Sequence, residues 1–276
     1  LNIAYIDWGG TNFRCVVEEG SKSSSYTKPS GEIDIISELQ ELFKLHPKIS
    51  KIGISFAGQT KDNKILSAPN IQTKELDLNK IFDYNKEFVV ENDLKCALLA
   101  EAEYFGEQNI AVIYVGTGIG SAYMDGGRII RGFLNSAGEI GHIPYIKTDT
   151  ICGCGKNNCL ELTASGSGLA KKAAAIDIDF ENLSKLKENN TFAEAVEDFE
   201  NGIGYAVSLV ISMLNPKMVV LGGGVVAANP YLLETTKKYV AKNAFAYNAK
   251  ECEIKPSKLK DGSLTGAKLL LKRESF

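Results

Sequence analysis

The chain has 276 residues, 44% of them hydrophobic and 24% charged, with a formal net charge of -3. That composition supports one large core or two smaller ones, and it offers no basic face for nucleic acid. The longest apolar stretches, 206–214 and 217–221, fall well short of the roughly 20 residues needed to cross a bilayer.

Ile3–Ile6 reads as a strand, without the basic, cleavable pattern of a leader. It runs into Asp7-Trp8-Gly9-Gly10-Thr11, and Phe13–Glu18 reads as the returning strand of a hairpin. Trp8 and Phe13 are expected to pack. Apolar residues at Ile33, Ile36, Leu39, Leu42 and Phe43 predict a helix over 32–45, closed by Pro47. His46, at its end, is expected to be exposed. Lys51–Phe56 is a strand ending at Ala57-Gly58. Phe88–Val90 is a strand with Glu91-Asn92-Asp93 at its exit, and Leu94–Phe105 is a helix.

The pattern then restarts, which places a domain boundary near 105–109. Ala111–Val115 is a strand that ends at Gly116-Thr117-Gly118-Ile119-Gly120. Ser121–Asp125 leads into a Gly126-Gly127 hairpin turn. Beyond the cysteine-rich stretch, 165–175 and 192–214 predict helices. Met218–Leu221 is a buried-type strand closed by Gly222-Gly223-Gly224. A helix over 231–244, a strand over 251–255 and a helix over 264–272 complete the chain.

Cys152, Cys154 and Cys159 lie within eight positions, ten residues after His142. Three thiolates and an imidazole are the donor set of a closed tetrahedral zinc site, which leaves no open position for catalysis. The metal is therefore expected to be structural. The other three cysteines stand apart, so the chain has no disulfide framework, and the cytoplasm is the expected compartment. Glu139 and Glu161 flank the cluster, so a fixed metal would fix two acceptors suited to sugar hydroxyls.

Asp7-x-Gly9-Gly10-Thr11, Gly116-Thr117-Gly118 and Gly222-Gly223-Gly224 each follow an apolar strand. Turns without Cβ atoms let backbone N–H groups approach phosphate oxygens. Rival nucleotide motifs fail. Gly155-Lys156 is followed by Asn157 rather than Ser or Thr, and Gly116-x-Gly118-x-Gly120 leads into a strand rather than a helix. Asp7 beside a phosphate turn suits Mg²⁺. Asp93 sits where a helix cap belongs. Its alternative role is a base that accepts the proton of an attacking hydroxyl, with Asn92 orienting the same substrate.

Ala137-Gly138-Glu139-Ile140-Gly141-His142, followed by Cys152-x-Cys154-Gly155-x3-Cys159-x-Glu161, resembles the signature of the ROK family of repressors and sugar kinases. The likeness extends over essentially the whole chain, including Gly58, Pro69-Asn70 and Glu91-Asn92-Asp93. It implies an α/β fold of two ribonuclease-H-like (actin-like ATPase) domains with the active site in the cleft between them. The domains would be 1–107 plus 262–276, and 108–261.

The resemblance further implies that Asp93 is the general base, with Gly58, Asn70, Asn92, Glu139, His142 and Glu161 around the sugar. Asp7, Gly9, Gly10, Thr11, Gly116, Thr117, Gly118, Gly222 and Gly223 would line the site of ATP with its Mg²⁺. His142, Cys152, Cys154 and Cys159 would hold the zinc, the second ring nitrogen of His142 donating to a sugar hydroxyl. The implied reaction is ATP-dependent phosphorylation of a hexose at its 6-hydroxyl, glucose first, with N-acetylmannosamine, mannose and fructose as alternatives. Neither nucleic acid nor membrane is an expected partner, and a homodimer is the expected assembly. The rival class is a sugar-sensing regulator. Repressors of the family carry a helix-turn-helix ahead of Asp-x-Gly-Gly-Thr, for which a turn beginning at residue 7 leaves no room.

Overall fold

The computed structural model describes residues 2–68, 71, 75–82, 85–172, 183–188 and 192–272. The chain divides into two compact units. The first comprises 1–103, 132–136 and 259–276, and the second 104–131 and 137–258. The short return at 132–136 was not anticipated from the sequence.

The strands of the first unit are β1 (Asn2–Trp8), β2 (Asn12–Glu19), β3 (Lys22–Pro29), β4 (Lys51–Phe56), the small pair β5 (Gln59–Lys61) and β6 (Lys64–Ser67), and β7 (Glu87–Asn92). The main sheet has the order β3-β2-β1-β4-β7. β1 pairs antiparallel with β2 and parallel with β4, and this register sets Asp7 between Arg14 and Ser55. Trp8 and Phe13 are buried, as expected, and the Trp8 ring meets Phe56 edge-on at 5.2 Å.

The first helix spans Ile35–Leu45, three residues later than its period predicts, because the Asp34 side chain caps it by accepting from the Ser37 N–H at 2.9 Å. His46 is only part-exposed and lies 2.9 Å from a Glu19 carboxylate oxygen, which overturns its expected exposure.

The last helix, Gly262–Leu270, packs against β1 and β4. A Cβ on Gly53 would strike the Ala267 carbonyl, and a Cβ on Gly266 would strike the Cys96 carbonyl. Both collisions are with backbone, so neither can be relieved by turning a side chain.

The second unit repeats the plan. Its strands are β8 (Ile110–Val115), β9 (Ile119–Asp125), β10 (Arg128–Ile129), β11 (Met218–Gly222) and β12 (Glu253–Pro256), in the order β10-β9-β8-β11-β12. β8 pairs antiparallel with β9 and parallel with β11, the same relations that β1 has with β2 and β4. Gly126 and Gly127 take φ of 52° and 77°, the two positive values a type I′ hairpin turn requires.

The helix Ala193–Leu214 lays Phe199, Ile203, Val207 and Ile211 on this sheet. It ends at Asn215 in the left-handed conformation, one residue before Pro216. The strand predicted from 251 begins at 253, because Glu251 closes a short helix, Ala246–Glu251, that buries none of its residues and so shows no period. The helix predicted over 165–175 spans Gly166–Lys172, and the remainder of that prediction lies outside the described residues. No described helix is long and apolar enough to cross a membrane.

Gly266→Ala is expected to lower stability by about 1–3 kcal/mol, as overpacking against backbone does. Urea unfolding of the variant measures this, and an unchanged midpoint would mean that the helix does not pack this closely.

Candidate active site and metal centre

The strand exits carry the polar groups. At the end of β1, Asp7 is buried, and its Oδ1 accepts from the Ser55 hydroxyl at 2.9 Å. Its Oδ2 accepts from Arg14 Nη2 at 2.6 Å and Nε at 3.2 Å, and Arg14 also donates to Asp261. Both carboxylate oxygens of Asp7 therefore already have protein donors, and a cation would meet it through water.

The turn that follows has its carbonyls tied back. Ser30 donates to the Gly9 carbonyl from Oγ (2.6 Å) and to the Thr11 carbonyl from its N–H (2.9 Å). The equivalent turn of the second unit is built alike. Carbonyls of Gly116, Thr117 and Gly118 accept from Gly166 N, Ser167 N and Gly116 N, at 2.8, 3.0 and 2.9 Å. A turn whose carbonyls are bonded within the protein does not aim them at an anion. Gly222 ends β11, and Gly223 takes φ 92° against the backbone of Val115.

Asp93 opens the helix Asp93–Phe105 at the exit of β7. The cap is the preceding residue: Asn92 Oδ1 accepts from Leu94 N at 3.1 Å and Lys95 N at 3.3 Å. The amide of Asn92 donates to the Gly58 carbonyl at 3.2 Å and to Asp93 Oδ1 at 3.0 Å. Asp93 Oδ1 also accepts from Leu94 N at 2.9 Å. Burial, and then the negative charge of Asp7, raise the Asp93 carboxyl to about 6. Of the other residues expected around a sugar in this unit, Gly58 lies beneath Asn92, and Asn70 is outside the described residues.

Nothing in its local sequence marks Asn135, yet it belongs here. Its amide donates to Glu91 Oε1 at 2.9 Å and to the Thr60 carbonyl at 3.0 Å. Its own carbonyl accepts from Lys95 Nζ at 2.9 Å. Glu91 and Lys95, on either side of Asp93 in sequence, are both buried. Asn135 holds φ 57°, a left-handed conformation that Asn tolerates better than most residues.

The metal ligands converge as their types require. One donor atom from each of His142, Cys152, Cys154 and Cys159 lies within 4.8 Å of every other. His142 Nδ1 is 3.5 Å from Cys152 Sγ, and Cys154 Sγ is 3.3 Å from Cys159 Sγ. Zn–S bonds of about 2.3 Å and a Zn–N bond of about 2.0 Å set tetrahedral neighbours roughly 3.5–3.8 Å apart. The four residues therefore fit zinc. Burial first, and then the neighbouring thiols, push Cys159 up to about 12, so a cation is what would make it a thiolate.

His142 turns its other nitrogen, Nε2, toward Glu139, 3.9 Å away. Glu161 begins the helix Glu161–Ala164 two residues after Cys159, with Oε1 3.9 Å from Cys152 Sγ. His142, Glu139 and Glu161 thus form one polar cluster around the ligand set.

The ROK family model matches residues 3–274. The chain belongs to the ROK family. A glucokinase of Halalkalibacterium halodurans is 30% identical over 67% of this chain and 64% of its own length. The xylose repressor of Bacillus subtilis is 27% identical over 75% of this chain and 57% of its own length. Both relatives extend well beyond the part that this chain matches. A ROK hexokinase structure from Thermus thermophilus superposes with a TM-score of 0.78 at 25% identity, covering 98% of this chain and 97% of that one. The expected α/β fold of two actin-like ATPase domains is the fold found.

If the four ligands hold zinc, the purified chain will carry about one zinc per molecule and Cys154→Ser far less, by elemental analysis. Equal zinc in both would remove the assignment.

Proposed function

We propose that this ROK protein is a sugar kinase that transfers the γ-phosphoryl group of ATP to the 6-hydroxyl of a hexose, glucose first. The observation that carries the reading is Asp93. It is a carboxyl at a strand exit, raised to about 6 by burial and Asp7, and held in place by Asn92 and the Leu94 N–H. A base tuned near the working pH both exists as carboxylate and accepts a proton well.

In the proposed step the sugar's primary hydroxyl oxygen forms a bond to the γ-phosphorus. The bond from that phosphorus to the β–γ bridging oxygen breaks, ADP leaves with its electron pair, and the hydroxyl proton passes to Asp93. The turns at Gly9-Gly10-Thr11, Gly116-Thr117-Gly118 and Gly222-Gly223 would hold the phosphates, and Asp7 would meet Mg²⁺ through water. Glu139 and Glu161 would accept from the sugar hydroxyls and His142 would donate to one, while zinc held by His142, Cys152, Cys154 and Cys159 would supply a fixed frame. Relatives named glucokinase support the reading. N-acetylmannosamine is the second candidate substrate, supported by a relative named for that activity.

A coupled assay of ADP release across hexoses and N-acetylhexosamines tests the reading, and no sugar-dependent ADP release from any of them would refute it. With glucose, kcat/KM is expected to fall about tenfold per pH unit below about 6, where Asp93 gains a proton, and to level off above about pH 7. Asp93→Asn should cut kcat by about 10²–10⁴ while calorimetry still detects sugar binding. An unchanged kcat would assign the base elsewhere. Removing the metal should weaken sugar binding more than ATP binding, and equal loss of both would mark general unfolding instead.

A further inference from the structure

Gly118 lies in a turn read above as a phosphate turn, but its lack of a side chain answers a different neighbour. Its φ is outside the left-handed range, so its backbone suits any L residue. What is missing is space. A Cβ on Gly118 would stand 2.6 Å from Glu161 Oε2, and the next nearest atom is the carboxyl carbon of the same side chain, at 3.7 Å. Gly116, two residues earlier in the same turn, has nothing within 4 Å of the equivalent point.

The Glu161 side chain is enclosed elsewhere too. Its Cβ would lie 3.5 Å from a Cβ on Gly141, and its other oxygen is 3.9 Å from Cys152 Sγ. One carboxylate oxygen of Glu161 thus faces Gly118 and the other faces the cysteine cluster.

We propose that Gly118 is a positioning residue: its missing side chain leaves the slot that seats the Glu161 carboxylate for a hexose's hydroxyls. This rests on the assignment of Glu161 to the sugar under the proposed function. The collision involves only the tip of a flexible side chain. A methyl group at 118 therefore moves the carboxylate and leaves the backbone in place. Gly141 differs, because a Cβ there would stand 2.5 Å from the Ile119 carbonyl oxygen and disturb the chain itself. A carboxylate moved off its sugar hydroxyl loses a charge-assisted hydrogen bond, which is a strong one.

The test is Gly118→Ala, assayed with the hexose that the wild-type chain turns over fastest. KM for the sugar should rise about tenfold or more, as loss of a hydrogen bond to a charged group does. KM for ATP should rise by a smaller factor than KM for the sugar, and zinc content should not change. Glu161→Asp, which withdraws the carboxylate by one methylene, should weaken sugar binding in the wild type but add little to Gly118→Ala. A rise in KM for ATP as large as that for sugar would place the effect of the methyl group on the phosphate turn rather than on Glu161 and overturn the proposal. So would an unchanged KM for sugar, or fully additive losses in the double variant. A wild-type chain that binds glucose or N-acetylmannosamine in calorimetry without transferring phosphate would refute the kinase reading alone. The ratio of sugar Kd between wild type and Gly118→Ala then decides this one.

Discussion

Three stretches of chain meet around Glu161 with no room for one more methyl group. A Cβ on Gly118 would meet its carboxylate, one on Gly141 would meet the Ile119 carbonyl, and one on Gly168 would meet the Glu161 carbonyl at 2.6 Å. Close approach of this kind fixes the backbone that carries the acidic side chain, while its carboxylate tip keeps the room that Gly118 leaves it. The Ser165 hydroxyl adds to it, donating to the Glu161 carbonyl at 2.6 Å and accepting from Gly168 N at 3.0 Å. The next residues, Gly166 and Ser167, hold the carbonyls of the 116–118 turn. Cys159, Glu161 and the two residues that hold the glycine turn therefore fall within one short segment, 159–167, which reaches the turn through hydrogen bonds.

The first unit solves a different electrostatic problem. Asp7 and Asp93 are both acidic and both sit at strand exits, yet their hydrogen-bond partners differ. Asp7 receives two donors from Arg14 and one from Ser55. Asp93 receives only neutral donors and feels the charge of Asp7. Only the Asp93 carboxyl is raised, by burial and by the charge of Asp7. The strand register produces this contrast, because Arg14 and Ser55 are the direct cross-strand neighbours of Asp7.

Much of this was legible in the sequence because it is local. Apolar runs ending in glycine marked β1, β4, β8 and β11, and the spacing of three cysteines and one histidine marked the ligand set. What escaped lacked a local signal. β3 is a polar edge strand, Lys-Ser-Ser-Ser-Tyr-Thr-Lys-Pro, exposed along most of its length, so nothing in it alternates. The pair β5 and β6 turns through Asp62 and Asn63, both at positive φ, and the Asp-Asn dipeptide was the cue that could have shown it. Asn135 is invisible for a deeper reason. Its partners Thr60, Glu91 and Lys95 lie 40 to 75 residues away, and no periodicity encodes a tertiary hydrogen bond. Asn92 shows the converse: the cap is expected at Asp93 and substrate orientation at Asn92, and only the geometry shows Asn92 Oδ1 bound to the helix N–H groups.

The closely packed last helix has a bearing on how the chain is made. The first unit includes 259–276, and its sheet is met closely by Gly262–Leu270 at Gly53. A ribosome releases β1, β2 and β4 long before that helix exists. The first unit therefore lacks this packing partner until Gly262–Leu270 has been made, and depends on very distant contacts to finish. The second unit lies wholly within 104–258 and can close sooner. The unit whose strands are made first is thus the one whose packing is completed last.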